Sequence, residues 1–450
     1  MIKIYNSLTN KIEEFKPIEE GKLSMYVCGP TVYSTIHIGN SRPVIFFDTV
    51  ARFFMYLGYE VKYVSNFTDI DDKIIRRAKE ENVSEKEISE KYIKDVLNIY
   101  KRLNCLPHYK NPKVTENMNN IIEFIGKMVD NGGAYAIDGD VYFDVSKIKE
   151  YGILSGQTID NLLDGVRIEN NTKKHSSIDF TLWKKTDEGV KWDSPWGEGR
   201  PGWHTECVVM IDDIFKGPID IHGGGSDLKF PHHDNEIAQS ICVNNHKIAH
   251  YWMHNGRIDL GGEKMSKSLG NIILANDLLD RVPYQVYRLM MLNVPYRQLL
   301  NYREELLTQS TKDYEKIKRA YISLYRKLEL SNAINFDVNI DDESILKIKN
   351  DFISSMSNDF NTANAITAIF ELTKLINIHL RNSNTDNLIL MQMLKCLKEL
   401  LWVLGIEVEV KPLTDDEKKL ISDWNEAKRN KDFVKADELR KQISDRKIEL

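Results

Sequence analysis

The first third of the chain alternates apolar runs with amphipathic stretches. "KLSMYVCG" predicts a buried strand, and "NSRPVIFFDTVARFFMYLGYE" has the apolar period of a helix. We expect Asn40 or Ser41 to cap this helix and Gly58 to close it. Pro43 suits its first turn. "YEVKYVSNFTD" predicts the next strand, and polar-faced helices follow it. A strand, a helix and a strand joined in this way form a βαβ unit, which predicts a parallel sheet.

The pattern changes twice further along the chain. Residues of about 110 to 200 have a weaker period and are interpreted as an insertion with short strands such as "AYAIDGDVYFDV". A second α/β portion follows: "PIDIHGGG" predicts a strand and glycine turn, "HHDNEIAQSICVNN" a helix, and "IAHYWMHNGRIDL" a strand and turn. From about residue 305 the pattern is helical to the end. The predicted fold class is α/β, a split parallel sheet with an insertion, followed by an α-helical C-terminal domain.

Composition narrows the class of protein. A chain of 450 residues is too long for one core, so roughly three domains are expected. With 42% hydrophobic and 28% charged residues it has the balance of a soluble globular protein. The N-terminus lacks a signal peptide's apolar core, so we expect a cytoplasmic protein. The five cysteines form no C-x-x-C pair, which argues against a disulfide framework.

The charge distribution is compatible with a local surface that binds nucleic acid. A net charge of −6 argues against binding by bulk charge. Between Arg281 and Arg303, however, the chain carries four arginines, four tyrosines and no acid. The segment is either a local nucleic-acid footprint or a helix pair whose arginines face water.

Two loops have the composition of a phosphate site. "PTVYSTIHIGNSRP" joins the first strand to the first helix, where ligands sit in doubly wound sheets and helix N–H groups suit phosphate. His37 and Gly39 lie there, although H-x-G alone is a weak signal. "GGEKMSKSLGN" places Lys264 and Lys267 on a glycine-flanked loop, where they can neutralise a polyphosphate as its leaving group departs.

Metal ligands and a glycine turn are further candidates. In "HHDNE" a helix would align His232 with Glu236, and His233 with Ile237, so that His233 leans elsewhere. Spacing alone does not make this a zinc site, because H-x-x-x-E is common by chance. In "HGGGSD" the glycines admit a nucleotide and Asp227 can accept hydrogen bonds, yet a plain glycine turn explains the same residues.

The motifs together resemble a known family. HIGN after the first strand and KMSKS after the last are similar in order and context to the two signatures of class I aminoacyl-tRNA synthetases. "GPTVYSTIHIGNSRP", "NFTDIDDKIIRRA", "GRPGWHTECVVM" and "DIHGGGSDLKFPHHDNEIAQS" resemble the cysteinyl-tRNA synthetase family in particular. "SNDFNTANA" and "AKRNKDFVKADELRKQI" resemble its helical domain. The likeness implies a Rossmann-like catalytic domain that activates cysteine with ATP and transfers it to tRNA.

The resemblance implies a role for each candidate site residue. The residues implied in catalysis are His37, Asn40, Lys264 and Lys267. Those implied in ATP binding are His37, Gly39, Gly224, Asp227 and Lys267. Those implied in binding the amino acid are Cys28, Thr31, Thr68 and Trp203. The implied zinc ligands are Cys28, Cys207, His232 and Glu236. A soft zinc ion that binds the substrate thiolate would separate cysteine from serine.

The resemblance also implies partners and a domain plan. The expected partners are tRNA(Cys), L-cysteine and ATP with Mg²⁺, with one Zn²⁺ per subunit, no membrane and a monomeric state. Residues 1–262 would form the catalytic domain with the insertion at about 110–200, and 263–305 the KMSKS loop and tRNA-stem region. Residues 306–450 would bind the anticodon. Trp424, Arg429 and Arg440 are the candidates for that contact.

Two departures and three alternatives accompany this interpretation. Asn40 stands where the family commonly has a second histidine, but it can still donate a hydrogen bond to ATP. The chain stops at "DRKIEL", where family members usually continue, which bears on anticodon recognition and not on adenylation. The nearest alternative is a related cysteine-activating ligase with an amino-sugar acceptor. An inactive paralogue conflicts with the intact His37 and lysines, and a nicotinamide enzyme lacks its glycine fingerprint.

Overall fold

The computed structural model describes residues 1–159, 161–162, 173–265, 270–382 and 385–450. These residues form two compact units. The first contains Met1–Tyr284 and Val294–Arg303, and the second contains Gln285–Asn293 and Glu304–Leu450. No helix in the described ranges is long and apolar enough to cross a bilayer.

The first unit contains the strands of the protein and a set of helices around them. Its strands are β1 (Lys3–Asn6), β2 (Lys11–Glu14), β3 (Lys22–Val27), β4 (Glu60–Ser65), β5 (Ala134–Ile137), β6 (Asp140–Phe143), β7 (Phe180–Lys185), β8 (Gly199–Pro201), β9 (Ile219–Gly225), β10 (Ala249–Asn255), β11 (Ile258–Leu260), β12 (Glu263–Lys264) and β13 (Leu300–Tyr302). Its helices are α1 (Ile38–Tyr56), α2 (Asp72–Glu81), α3 (Glu85–Arg102), α4 (Met118–Asp130), α5 (Glu206–Phe215), α6 (Asp234–Asn244) and α7 (Ala275–Arg281).

A parallel sheet organises the first unit, as the sequence predicts. Its strand order is β10-β9-β3-β4, and every neighbouring pair is parallel. The chain leaves β3 through α1 to reach β4 on one side, and returns through the insertion to β9 on the other. The strand order therefore reverses between β3 and β9, and a crevice opens at their carboxyl ends, where such sheets bind ligands.

Smaller sheets surround this one. The predicted insertion contains an antiparallel sheet in the order β5-β6-β7-β8. After β10 the chain forms β11, which pairs with β12 on one side and with the later strand β13 on the other. This second small sheet leads directly into the KMSKS segment.

Helix α1 begins earlier than the sequence predicts. His37 is its N-cap, so the expectation that Asn40 or Ser41 caps it is wrong. The reason is a reciprocal capping box, in which the His37 ring accepts from the Gly39 N–H and the Asn40 side chain accepts from the His37 N–H. Pro43 consequently lies inside the helix and not in its first turn. Gly58 follows the helix with φ +89°, as its predicted closing role requires.

The second unit is helical, as the sequence predicts. Its helices are α8 (Tyr284–Leu292), α9 (Glu304–Leu330), α10 (Glu343–Ser357), α11 (Thr362–Arg381), α12 (Asn387–Val403), α13 (Asp415–Arg429) and α14 (Phe433–Asp445). Helix α9 packs against α11 and α12, and α13 packs against α14. Arg288 of α8 is fully buried and donates from Nε to the Leu404 carbonyl at 2.7 Å. A side chain at Gly405 would collide with this guanidinium, which keeps position 405 free of a Cβ.

The buried Arg42 fixes the position of α1 within the first unit. Its Nη1 donates to the carbonyls of Gly256 and Gln298, both at 2.7 Å, and to that of Arg257 at 3.2 Å. Its Nη2 donates to the Pro295 carbonyl at 3.1 Å. Burial lowers the pKa of Arg42 to about 10, so the group remains charged at neutral pH. One guanidinium therefore ties the helix behind HIGN to the start of β11 and to the segment before β13.

Replacing Arg42 by Met should destabilise the first unit by about 3 kcal/mol or more, because buried carbonyls lose their donors. Urea unfolding followed by the tryptophans of that unit measures the change. Arg257→Gln is the matched control, because its side chain is 55% exposed and bound only to Asp259 among the described residues. Equal stability of the two variants would contradict the role given to Arg42.

Candidate active site

A cleft of about 300 Å³ opens at the carboxyl end of β3. The loop from Cys28 to Asn40 forms much of its wall. The predicted site residues that line it are Cys28, Thr31, His37, Gly39, Asn40, Trp203 and Asp227. The structure therefore brings together residues that are up to about 200 positions apart in sequence.

The two signature segments are joined by backbone hydrogen bonds. Ile38 N–H donates to the Ile273 carbonyl at 2.9 Å, and Ala275 N–H donates to the Ile36 carbonyl at 3.0 Å. His37 and Leu274 form the antiparallel bridge between these bonds. The segment after KMSKS is thus paired directly with HIGN.

Of the KMSKS segment, the structure describes Met265 and the backbone of Lys264. Lys267 lies outside the described residues, as does the side chain of Lys264, whose backbone ends β12. Met265 is buried, and its Cε lies 3.2 Å from the point where a Cβ on Gly39 would stand. A side chain at Gly39 would also meet the His37 ring at 2.9 Å, so this position of the cleft requires glycine.

The cap geometry of α1 sets the tautomer of His37. Gly39 N–H donates to its Nδ1 at 3.1 Å. A neutral imidazole that accepts at Nδ1 carries its proton on Nε2, so this nitrogen is a donor. Asn40 uses its Oδ1 to accept from the His37 N–H at 3.2 Å, and its amide nitrogen remains a donor. The backbone N–H groups of residues 38 to 41 are already hydrogen-bonded within the protein, so the donors that this helix N-terminus can offer to an anion belong to the side chains of His37 and Asn40.

Four metal-type donors converge at the base of the cleft. This donor cluster consists of Cys28, Cys207, His232 and Glu236. One ligand atom from each lies within 4.8 Å of all the others, and the last three residues are buried. The two Sγ atoms are 3.6 Å apart. With Zn–S bonds of about 2.3 Å, two thiolates on a tetrahedral zinc lie roughly 3.8 Å apart, so the spacing fits.

Helix α6 and the turn before it position two of these donors. His232 Nε2 lies 2.9 Å from Glu236 Oε1, which agrees with the predicted alignment four residues apart. Cys207 lies in the first turn of α5, and its Sγ is 3.8 Å from His232 Nε2. Cys28 directly follows β3 and reaches Glu236 Oε1 at 3.7 Å.

The charges within the donor cluster are strongly coupled. The hydrogen bond from the Cys28 thiol lowers the pKa of Cys207 to about 6, whereas burial raises the pKa of Cys28 well above its ordinary value. Burial opposes charge on His232, but the Glu236 carboxylate raises the pKa of this imidazole to about 10. Burial also opposes charge on Glu236, but His222 and His232 lower its pKa well below the ordinary value. The proton that the raised pKa keeps on His232 lies between Glu236 and Cys207, and a metal ion bound to this cluster would take the place of that proton.

A second set of donors overlaps the first. Cys28 and Glu236 are also close to His222 and His233. His233 Nε2 lies 3.3 Å from Cys28 Sγ, so the expectation that His233 leans away is wrong. The turn before α6 is a π-helical turn with an extended Phe230, and it brings both histidines inward. Glu236 Oε2 and both nitrogens of His222 are buried without a well-aligned hydrogen bond among the described residues, although Nε2 and Oε2 are 2.7 Å apart.

The remaining predicted residues differ in whether they line the cleft or are buried behind its wall. Thr31 and Thr68 form a parallel bridge, and Thr68 is buried behind the cleft wall. Trp203 is 43% exposed and stacks on His232 with ring centroids 4.6 Å apart. Asp227 lines the cleft, whereas Gly224 is buried in β9 and does not. A Cβ on Gly224 would meet the His233 ring at 3.1 Å, which indicates a packing requirement.

Apart from Thr68, sequence reasoning missed the residues that hold this wall in place. The buried Asn66 accepts from Gly29 N–H at 2.9 Å and donates to Thr68 Oγ1 at 3.3 Å. Thr68 in turn donates to Glu206 at 3.2 Å. Burial raises the pKa of Glu206 well above the ordinary value. Lys73 also lines the cleft. Asn66 and Lys73 belong with the predicted Thr68 to "NFTDIDDK", whose dense polar residues directly after a strand are the signal that could have found them.

Comparisons with known proteins agree with this site. Residues 14–312 match the family described as "tRNA synthetases class I (C) catalytic domain", and residues 351–409 match the DALR domain. The cysteine–tRNA ligase of Geobacillus sp. (strain WCH70) is 47% identical over 452 residues, which cover 99% of this chain and 96% of the relative. That of Staphylococcus epidermidis (strain ATCC 35984) is 48% identical and covers 100% and 97%.

Solved structures share the fold at low sequence identity. Mycobacterium tuberculosis methionyl-tRNA synthetase bound by methionyl-adenylate superposes with a TM-score of 0.64 at 14% identity, covering 90% of this chain and 94% of that one. A structure described as a putative arginyl-tRNA synthetase from Campylobacter jejuni gives a TM-score of 0.60 at 13% identity, covering 86% and 93%.

The parallel sheet, the two joined signature segments and the matched catalytic domain define a class I aminoacyl-tRNA synthetase. Within that class, the chain belongs to the cysteine–tRNA ligase family, since full-length relatives at 47–48% identity carry this name. It is an ATP-dependent ligase that joins cysteine to tRNA. The relatives do not support the alternative ligase with an amino-sugar acceptor.

Two substitutions test whether His37, besides capping α1, also acts on ATP. His37→Asn keeps a good N-cap, so stability should hold while adenylate formation falls on the order of 100-fold through loss of the Nε2 donor. His37→Ala should lose the same activity and about 1 kcal/mol of stability as well. Cysteine-dependent pyrophosphate exchange and urea unfolding measure the two effects. Full exchange activity in His37→Asn would show that Nε2 does not act on ATP.

Proposed function

We propose that the donor cluster holds one Zn²⁺ that selects L-cysteine, and that the HIGN and KMSKS segments hold Mg·ATP for its activation. The observation that carries the proposal is the convergence of two thiols, an imidazole and a carboxylate at the base of the cleft. When bound, the ion would take the substrate thiolate as a further ligand, which a hydroxyl replaces poorly. Discrimination against serine then needs no editing.

The choice of ligands among the six residues of the two overlapping donor sets follows from their surroundings. Cys207 Sγ lies 3.6 Å from Cys28 Sγ and 3.8 Å from His232 Nε2, so it faces two other members of the donor cluster. His233 instead shares its Nδ1 with His254 at 2.9 Å. His222 faces the second oxygen of Glu236 and would orient that carboxylate, as outer-sphere histidines do.

The amino acid would lie between the metal and the loop after β3. Thr31 and Asp227 line the cleft beside Cys28, where Asp227 can accept from the substrate ammonium or from ribose. Trp203 closes one side of this space, with almost half of its surface exposed to receive a ligand. Thr68 supports the wall through Thr31 and does not itself reach the cleft.

ATP would bind at the start of α1. His37 Nε2–H and the Asn40 amide can donate to its phosphates, and the absence of a side chain at Gly39 allows the nucleotide to approach the backbone. Lys264 and Lys267 would neutralise the pyrophosphate as it leaves. The pairing of Ile273–Ala275 with Ile36–Ile38 supports this assignment, because it brings the flank of the KMSKS segment to the same wall.

The finer assignments of partner and state belong to the same proposal. We infer that the acceptor is tRNA(Cys), with the second unit on the anticodon and residues 281–303 near the tRNA stem. A monomer suffices, because every residue of the candidate site comes from the first unit of one chain. The five cysteines are free thiols, which suits the cytoplasm.

The first experiment is transfer of labelled cysteine, with ATP and magnesium, onto unfractionated tRNA, using protein of measured zinc content. Base-labile label on tRNA is the expected product. Labelled serine should give none while zinc is bound. Equal charging by metal-free and zinc-loaded enzyme would overturn the metal assignment without touching the ligase activity.

Cys207→Ser should lower zinc content and cysteine affinity together, because the variant replaces a thiolate ligand by a hydroxyl. Loss of the metal is measured by elemental analysis, and cysteine binding by calorimetry. Cys396→Ser, at a buried thiol of the second unit, is the matched control and should keep its zinc. Full zinc occupancy in Cys207→Ser would show that the ligand assignment is wrong.

Lys267→Ala should cut adenylate formation by a factor on the order of 100 to 1,000, with the fold and the zinc content unchanged. Pyrophosphate exchange and metal analysis of the same preparation test both parts. Loss of zinc in this variant would contradict the role proposed for the lysine.

A further inference from the structure

Lys73 lines the catalytic cleft from a helix that neither signature includes. It lies in the first turn of α2, where its backbone N–H donates to the N-cap Asp71 at 2.7 Å. Its ammonium nitrogen lies 5.5 Å from the centroid of the Tyr33 ring, on the loop that leads to His37. The helix therefore carries a cation to the rim of the cleft.

The charged residues of α2 divide into two groups. One group is engaged with carboxylates or with the insertion: Asp72 with Arg200 and with Lys184, Lys79 with Glu188, and Arg77 with Glu81. The other group is Lys73 and Arg76, both exposed. Neither has a carboxylate within 4.0 Å among the described residues, although the helix is rich in acids.

The two unpaired cations share one face of the helix. They are three positions apart, a spacing that places side chains side by side. Ile74, Ile75 and Ala78 occupy the buried face. The pair thus forms a short basic strip on the surface of α2, with Lys73 at the cleft and Arg76 outside it.

We propose that Lys73 and Arg76 bind the phosphodiester backbone at the 3′ end of tRNA as it enters the cleft. Transfer requires the terminal adenosine to reach the adenylate, so the nucleotides before it must cross the cleft rim. Lysine and arginine on phosphates fix the register of a nucleic acid without reading its bases. In a protein of net charge −6, local cations of this kind must supply that attraction. The inference rests on membership of the cysteine–tRNA ligase family and not on the zinc proposal.

The test compares two half-reactions in Lys73→Gln, Arg76→Gln and the double variant. The kcat/KM for tRNA in aminoacylation should fall about tenfold or more in the double variant, and Lys73→Arg should restore most of the loss at position 73. Cysteine-dependent pyrophosphate exchange, which needs no tRNA, should fall far less. The salt dependence of tRNA binding should become shallower by about 0.7 in log–log slope per cation removed.

Arg77→Gln is the matched control. It removes one positive charge from the same helix, but from a side chain engaged by Glu81 at 2.5 Å. Both half-reactions should keep their rates in this variant. If it lowers aminoacylation as much as Arg76→Gln, the effect is one of net charge and the proposed contact is wrong.

Shortened tRNA locates the contact. The loss of affinity in the double variant should be seen with full-length tRNA and should disappear with tRNA that lacks its last four nucleotides. An equal loss with both tRNAs would place the contact elsewhere on the tRNA, and an equal loss in both half-reactions would place it on ATP or the adenylate. Unchanged kinetics throughout would mean that the cations are only solvated. Each of these three results overturns the proposal.

Discussion

The catalytic arrangement depends on a pair of backbone hydrogen bonds. They join Ile36 and Ile38 to Ile273 and Ala275, and so hold together two segments about 235 residues apart in sequence. Backbone pairing fixes distance and direction without demanding particular side chains. The pairing therefore makes no demand on the side chains of His37 and Asn40, which form the capping box of α1. Arg42 reinforces the arrangement from behind, because it binds the carbonyls at the start of β11, the strand that leads to KMSKS.

The switch in strand order places the proposed metal site and the proposed ATP site side by side. Cys28 directly follows β3 at the reversal point, and His37 caps the helix that leaves the same loop. One loop of about ten residues thus joins the donor cluster to the start of α1, where we propose that ATP binds. The donor cluster also sits where water has limited access, because His232, Cys207 and Glu236 are buried. Electrostatic interactions among such groups are stronger than in water, which explains their large mutual pKa shifts.

Much of this could be predicted from the sequence, for reasons that differ between elements. The parallel sheet follows from local periodicity, and the contact between His232 and Glu236 follows from helical spacing. The start of α1 could not be predicted correctly, because histidine is an uncommon cap and the capping box depends on an imidazole in one tautomer. The inward orientation of His233 depends on a π-helical turn that no residue pattern in the sequence predicts. The role of Arg42 could not be predicted, because its acceptors are backbone carbonyls, and every residue type carries one.

The alternation of the chain between the two units has a consequence for dissection of the protein. Residues 285–293 belong to the second unit, yet the chain returns to the first for Val294–Arg303, which includes the edge strand β13. A fragment that ends after β13 would complete the small sheet, but its helix α8 would lack the rest of the second unit. Arg288 would then lose the Leu404 carbonyl as its acceptor. A fragment that ends before α8 would avoid this but would lose β13 and two of the four carbonyls that bind Arg42, those of Pro295 and Gln298. No single cut therefore separates the units cleanly, and during synthesis the ribosome makes the first helix of one unit before it finishes the other.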